Sequence, residues 1–303
     1  MSDAKKILIL GGSSFVGSHL FSLVGLSCAV STFCNHPIKH GVYFDALKMR
    51  ISDIIASPTD FSHAVILLGD TNPDSCARDA ARSTYLNVVC IQRIIEQLKN
   101  LRIIPVFIST EAVFDGKKGN YVETDIINPI LTYGLQKAQI EDYLTKTVKK
   151  FLIVRLSRVF GSSRKDGTLF TSWLEQIERN ENIRCARDQV FSPVHVNEVC
   201  DGLIRLIKND CEGIFHLSNH DGYCRLDMLR LFLSHYRKHA NEFIKIIECD
   251  LHEFPALEKR PLNISMRPDK LIKSTGVSIK SLDFHCSEII RRRFDDGAKN
   301  TTV

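Results

Sequence analysis

The stretch that most constrains this chain is the apolar run KILIL (6–10), which passes straight into GGSSFVGSHL. A short strand there meets a glycine turn and then a helix beginning near Phe15. Gly11 permits the tight turn, and Gly17 lets the helix pack closely. The same alternation recurs downstream. AVSTF (29–33), AVILL (64–68), VFIS (106–109) and FLIVRL (151–156) read as strands covered on both faces. Helical patterns lie at about 15–25, 77–99 and 133–149. Repeated strand–helix units cross over with one hand and build a parallel sheet with helices on both sides.

The expected fold is α/β, a Rossmann-type doubly wound parallel sheet with a smaller C-terminal α/β substrate lobe. After Phe160 the pattern loosens, with a helix near 168–180 and a second, capped by Asn197, running to about 208. GIFHL (213–217) is one more buried strand, helices follow near 225–237 and 279–292, and RPLNISMRP (260–268) is a proline-punctuated loop. This places a dinucleotide-binding domain at 1–160 plus about 190–219, and the substrate lobe at about 161–189 plus 220–303.

Composition excludes several classes. At 44% hydrophobic and 25% charged residues, the 303-residue chain has the make-up of a soluble globular protein. Its net charge of +5 is diffuse, and the run Arg291–Arg293 is followed by Asp295 and Asp296. That run reads as a solvated helix end, so no nucleic-acid partner is expected. Ten cysteines are scattered without a Cys-x-x-Cys pair, which predicts reduced thiols and no metal site. The apolar run in MSDAKKILIL is cut short by Gly11, Gly12, Ser13 and Ser14, too early for a signal peptide. No segment approaches the ~18 apolar residues of a membrane span. A cytoplasmic location without membrane contact is expected.

A glycine turn between a strand and a helix presents free N–H groups to a pyrophosphate. Gly11, Ser13, Ser14, Phe15 and Val16 are therefore candidate cofactor ligands. Ser14 replaces the usual middle glycine, and its hydroxyl is expected to donate to phosphate. The second strand ends in TFCNHPIKH, with Asn35, His36, Lys39 and His40 but no acid to hold a ribose 2′-hydroxyl. A basic rim suits a 2′-phosphate, so NADP(H) is favoured over NAD(H). Asp45 lies where a third strand would end, placed to accept from an adenine amino group.

Tyr133 and Lys137 are four residues apart at the start of a helix, hence on one face, and Thr110 ends a strand 23 residues earlier. Strand ends and following helix starts meet at the carboxyl edge of a parallel sheet, beside the dinucleotide. A phenol of pKa ~10 is a weak acid–base catalyst, and a neighbouring ammonium is expected to lower it. Thr110 would donate to a substrate carbonyl oxygen.

Together GGSSFVGSHL, STEAVFDG, YGLQK, RLSRVFG and PVHVNEV resemble the extended short-chain dehydrogenase/reductases, the NAD-dependent epimerase-dehydratase family. STEAVFDG and RPLNIS resemble the dTDP-4-dehydrorhamnose reductase branch, over about residues 5–275. The resemblance implies Tyr133 as proton donor, Lys137 as a ligand of the nicotinamide ribose, and Thr110 as holder of the substrate oxygen. It also implies Leu68 and Gly69 beside the adenosine ribose, and Glu111, Arg158 and Arg260 as substrate contacts. Two departures fall near the substrate: Ala112 replaces an aromatic residue, and Asp70 and Asn72 stand in LLGDTNPDSC. Glu111-Ala112 replaces the Asp-Glu pair of dehydratases, which argues against dehydration. The implied function is NADP(H)-dependent reduction of a nucleotide-linked 4-keto sugar, with a homodimer compatible with it. An NAD-dependent nucleotide-sugar epimerase is the alternative chemistry. A non-catalytic dinucleotide-binding regulatory subunit, like that of methionine adenosyltransferase in the same branch, is the alternative of another class.

Overall fold

The computed structural model describes residues 5–240 and 244–299. Strands and helices alternate through the first half: β1 Lys6–Leu10, α1 Phe15–Val24, β2 Ala29–Phe33, β3 Val42–Tyr43 and β4 Phe61–Ile66. Then come α2 Pro73–Arg78, α3 Ala80–Thr84, α4 Ile91–Asn100, β5 Ile104–Thr110, α5 Thr132–Thr147 and β6 Leu152–Leu156. A π-helical segment, Tyr85–Cys90, joins α3 to α4. Shorter pieces follow: β7 Val159–Phe160, α6 Leu169–Glu178, β8 Ile183–Ala186, β9 Val190–Phe191, β10 Val194–His195 and α7 Val196–Lys208. The remainder is β11 Gly213–Leu217, β12 Tyr223–Cys224, α8 Arg225–Tyr236, β13 Ile246–Cys249, α9 Asp269–Thr275 and α10 Leu282–Lys299.

Seven strands form one parallel sheet in the order β11-β6-β5-β4-β1-β2-β3. The chain runs outward from β1 through β3, then returns to the other side at β4, so the order reverses between β1 and β4. Ligands of open α/β sheets bind at the carboxyl edge beside such a reversal. One face of the sheet packs α1, α7 and α9 through Leu20, Leu203, Leu271 and their neighbours. The other packs α4 and α5 through Ile94, Leu98, Ile140 and Leu144. A third cluster, built on Phe170, Trp173, Phe232 and Ile290, packs most of the second half of the chain and also takes in Val113, Phe114, Tyr121 and Ala138.

Three local findings differ from the sequence reading. α7 is capped by His195, not Asn197: the His195 ring accepts from the Asn197 amide while Glu198 accepts from the His195 amide. The physical reason is that β10 keeps the chain extended only through His195, so the helix begins at Val196, two residues before an Asn197 cap would allow. The paired β8 and β13 carry charged outward positions on four residues each, too little pattern to read as strands. The short helix α9 follows directly on the proline-punctuated loop and was not among the expected helices. As for the thiols, all ten cysteines are free and six of them are buried. Among the described residues no helix is long and apolar enough to cross a membrane.

The seat of α5 on the sheet is fixed by an ion pair. Arg155 on β6 meets Glu141 on α5 at 2.7 Å, with both side chains 3% exposed. Glu141 also accepts from the Ser109 hydroxyl at the end of β5. The guanidinium can only donate, so at 3.2 Å the His216 Nε2 accepts and its Nδ1 donates to the Tyr121 carbonyl. Losing one partner of a buried pair strands the other. Glu141→Ala is expected to destabilise the fold by about 3–5 kcal/mol in urea unfolding; a shift below about 1 kcal/mol would show that the pair does not anchor α5.

Candidate active site

The glycine turn is fixed by close approaches. Gly11 has φ +92°, and a Cβ at Gly17 would stand 2.4 Å from the Gly11 carbonyl oxygen. Only a residue without a side chain lets α1 start against the turn. Ser14 caps that helix, accepting from the Gly17 amide at 3.1 Å and donating to the Gly11 carbonyl at 2.7 Å. Its hydroxyl hydrogen, expected on a phosphate, is thus engaged inside the turn. The first-turn amides of Phe15 and Val16 have no partner within a helix by construction, and both residues line the adjoining cleft. A pyrophosphate fits that arrangement through backbone N–H groups and the helix dipole.

The cleft has a volume of about 680 Å³ and gathers residues from distant parts of the chain. Ser14, Phe15 and Val16 line it beside Thr110, Glu111, Tyr133, Lys137, Arg158 and Arg260. Gly11, Ser13, Leu68 and Gly69 sit at or beside the turn, where a Cβ on Gly11 would approach Leu68 to 3.3 Å. Asn35 and His36 are exposed on the β2–β3 loop. Asp45 is buried, with its carboxylate accepting from the Leu47 amide and facing Lys48. Asp70 and Asn72 prove to be organisers of the loop into α2. Asp70 accepts from the Asn72 amide and the Ser75 hydroxyl, and Asn72 caps α2 at the Ser75 amide.

Lys137 is buried, donates to the Ile108 carbonyl at 2.8 Å, and lies 4.6 Å from the Phe107 ring centroid and 5.9 Å from that of Tyr133. Burial pulls its pKa down to about 8, against the pull of Glu141. Burial likewise pushes the Tyr133 phenol above its ordinary value, with the Thr110 hydroxyl opposing. The expected lowering of the phenol is therefore absent. Lys137 is itself desolvated and occupied with a carbonyl, so its field does not outweigh the loss of water around the ring oxygen. Thr110 accepts from the Ala112 amide at 3.2 Å, which leaves its hydroxyl hydrogen for another acceptor. A residue the sequence reading passed over brings these groups together: a Cβ at Gly134 would stand 2.2 Å from the Ala112 carbonyl oxygen. The first turn of α5 thus packs directly on the turn that follows Thr110.

Other residues lining the cleft carry polar atoms without partners. Arg260 pairs one nitrogen with Asp74 at 2.7 Å while its Nη1 is buried and unpartnered. Arg225 and Gln189 also line the cleft, and Arg225 Nε and Gln189 Oε1 are buried without partners. No motif marked these two in the sequence. Arg225 lies 5.5 Å over the Phe254 ring, and Arg158 lies 5.2 Å over Phe191. Among the described residues no cluster of His, Cys, Asp and Glu could hold a metal ion.

Glu111 is buried beside Thr110 and accepts from the Ser157 hydroxyl. Desolvation raises its carboxyl to about 7, against Ser157 and Arg158. The folded protein then binds more protons than the unfolded chain between about 4.5 and 7. Glu111 therefore contributes stability that is present below the unfolded value and lost as pH rises through 7. Stability curves of wild type and Glu111→Gln are expected to diverge across that window, with the wild type falling; parallel curves would show a carboxylate already ionised.

Comparison with known proteins shows the family of this chain. The family model described as RmlD substrate binding domain matches residues 5–293. The dTDP-4-dehydrorhamnose reductase of Aggregatibacter actinomycetemcomitans is 26% identical over 247 residues, 77% of this chain and 83% of that protein. Methionine adenosyltransferase 2 subunit beta of Danio rerio is 24% identical over 222 residues, 71% and 67% of the two chains. A crystal structure of dTDP-4-dehydrorhamnose reductase from Bacillus anthracis in complex with NADP shares the fold, with a TM-score of 0.76 at 19% identity over 96% of this chain and 99% of that one. The chain belongs to the RmlD substrate binding domain family of extended short-chain dehydrogenase/reductases.

Proposed function

We propose that this protein is an NADP(H)-dependent reductase of a nucleotide-linked 4-keto sugar. The observation that carries the reading is one cleft lined by Thr110, Tyr133 and Lys137, by the first residues of α1, and by Arg158, Arg225 and Arg260. A reduced nicotinamide supplies hydride when bound. Thr110 donates its hydroxyl hydrogen to the ketone oxygen and holds it in place. Tyr133 gives its proton to that oxygen as negative charge develops. Lys137 supports the resulting phenolate and is placed to hold the cofactor ribose. The arginines bind an anionic group remote from the carbonyl, as a nucleoside diphosphate provides.

The similarity to methionine adenosyltransferase 2 subunit beta favours a second reading, a non-catalytic dinucleotide-binding regulatory subunit. NADPH consumption with an NDP-4-keto-6-deoxysugar separates the two: stoichiometric oxidation supports the reductase, and no turnover of any nucleotide-linked keto sugar leaves the regulatory role.

Tyr133→Phe removes one oxygen atom and is expected to lower kcat by roughly 10²–10⁴-fold while cofactor binding persists. Near wild-type turnover would take Tyr133 out of the chemistry. The exposed Asn35, His36, Lys39 and His40 face solvent after β2 with no acid among them. NADPH is expected to bind more tightly than NADH, with the gap narrowing as salt rises; equal affinities in a titration would place the 2′-phosphate elsewhere.

A further inference from the structure

α5 carries Tyr133 and Lys137 but has no cap of its own. Its N-cap residue is Leu131, whose side chain accepts nothing, so the amides of the first turn need an acceptor from elsewhere. Glu258, 126 residues away, supplies it. Its two carboxylate oxygens lie 3.0 and 3.1 Å from the Thr132 amide, and one accepts from the Thr132 hydroxyl at 2.7 Å. An anion at a helix N-terminus also meets the positive end of the helix dipole.

Glu258 belongs to the segment 251–261, which forms one side of the cleft. Leu251, Phe254, Pro255, Ala256, Arg260 and Pro261 line it, whereas Glu258 is turned away toward α5. The segment has a second anchor on α2, where Asp74 accepts from the Leu257 amide at 2.9 Å and pairs with Arg260. Its ends, Leu251 and Pro261, are buried, but Leu257 is 58% exposed. The middle of the segment is therefore held by two carboxylates and little apolar burial. Contacts of that kind open locally at low cost.

We propose that the segment 251–261 is a strap over the substrate cleft and that Glu258 is a positioning residue, capping α5 so that Tyr133 is in place when the strap is seated. Lifting the strap to admit a ligand breaks the Glu258–Thr132 bonds and loosens the turn that carries Tyr133. Seating it restores the cap, so proton donation is available when the cleft is covered and water is excluded. The chemistry rests on the reductase reading, whereas the link between strap and helix does not.

The test compares wild type, Glu258→Gln and Glu258→Ala by amide hydrogen exchange and steady-state kinetics. In Glu258→Ala the amides of 132–135 are expected to exchange about tenfold faster, the population change that matches a helix cap of ordinary strength. On a keto-sugar nucleotide, kcat is expected to fall by about the same factor while KM stays within about twofold, because Glu258 does not line the cleft. Glu258→Gln keeps one acceptor oxygen and is expected to recover part of both losses. With dTDP alone as probe, the wild type is expected to gain protection in 251–261 and 132–135 together, and Glu258→Ala in 251–261 only. Unchanged exchange at 132–135 in Glu258→Ala would overturn the proposal, as would a raised KM with intact kcat. If the wild type reduces no keto sugar, the reductase reading falls, and the exchange results alone decide the strap.

Discussion

The ammonium of Lys137 is taken out of water and held between the Ile108 carbonyl and the Phe107 ring, and the rest of the site is arranged around that burial. A buried cation needs compensation. Part comes from the carbonyl, part from the ring, and part from Glu141 one turn further along α5, which raises the amine while desolvation lowers it. Glu141 is in turn held by Arg155 and Ser109, and Arg155 by His216. The groups that attach α5 to β5 and β6 are thus the ones that set the charge of the amine. A change that loosens the helix changes the chemistry too.

The arginine-bearing wall of the cleft shows the opposite condition. There the polar atoms Arg225 Nε, Arg260 Nη1 and Gln189 Oε1 are buried and lack partners. Buried polar groups are satisfied in most folded proteins, and an orphan costs about 1–3 kcal/mol. Three along one cleft are economically explained by a ligand that brings acceptors to the two arginines and a donor to the glutamine. Burial lowers the Arg225 guanidinium, and the like charge of Arg158 adds to that lowering. An anion relieves that repulsion, which is why the wall suits a diphosphate better than a neutral sugar alone.

How much of this was legible depended on the range of the interaction. The βα alternation and the Thr110–Tyr133–Lys137 spacing are local patterns, and the apolar run KILIL emerged as a central strand and GIFHL as an edge strand of the same sheet. Glu258 on Thr132, by contrast, joins residues far apart in sequence, and no spacing encodes it. Arg225 and Gln189 were illegible for a similar reason: only the folded cleft shows that their polar atoms are orphaned. Ser14 and Asn197 were misjudged because each cap depends on the backbone just before the helix, which composition does not reveal. Asp70 and Asn72 looked like pocket chemistry; Asn72 lines the cleft and also caps α2, while Asp70 braces the loop before it, a common use of short acids and amides at helix starts.

The raised pKa of Tyr133 bears on the direction of the proposed reaction. A phenol that loses its proton reluctantly is a poor base for oxidising an alcohol at neutral pH. As a donor it suffers less, because the alkoxide formed by hydride addition to a ketone is far more basic than any phenolate. Transfer to it is downhill even from a buried phenol. Lys137 then matters most after the proton has moved, when a phenolate needs a cation nearby. With its own pKa drawn down to about 8, the amine loses that charge progressively above this pH. Desolvation, which acts on both side chains at once, therefore makes the pair a proton donor first and a proton acceptor only with further help. That asymmetry suits a reductase more than an enzyme that must return hydride to its own product.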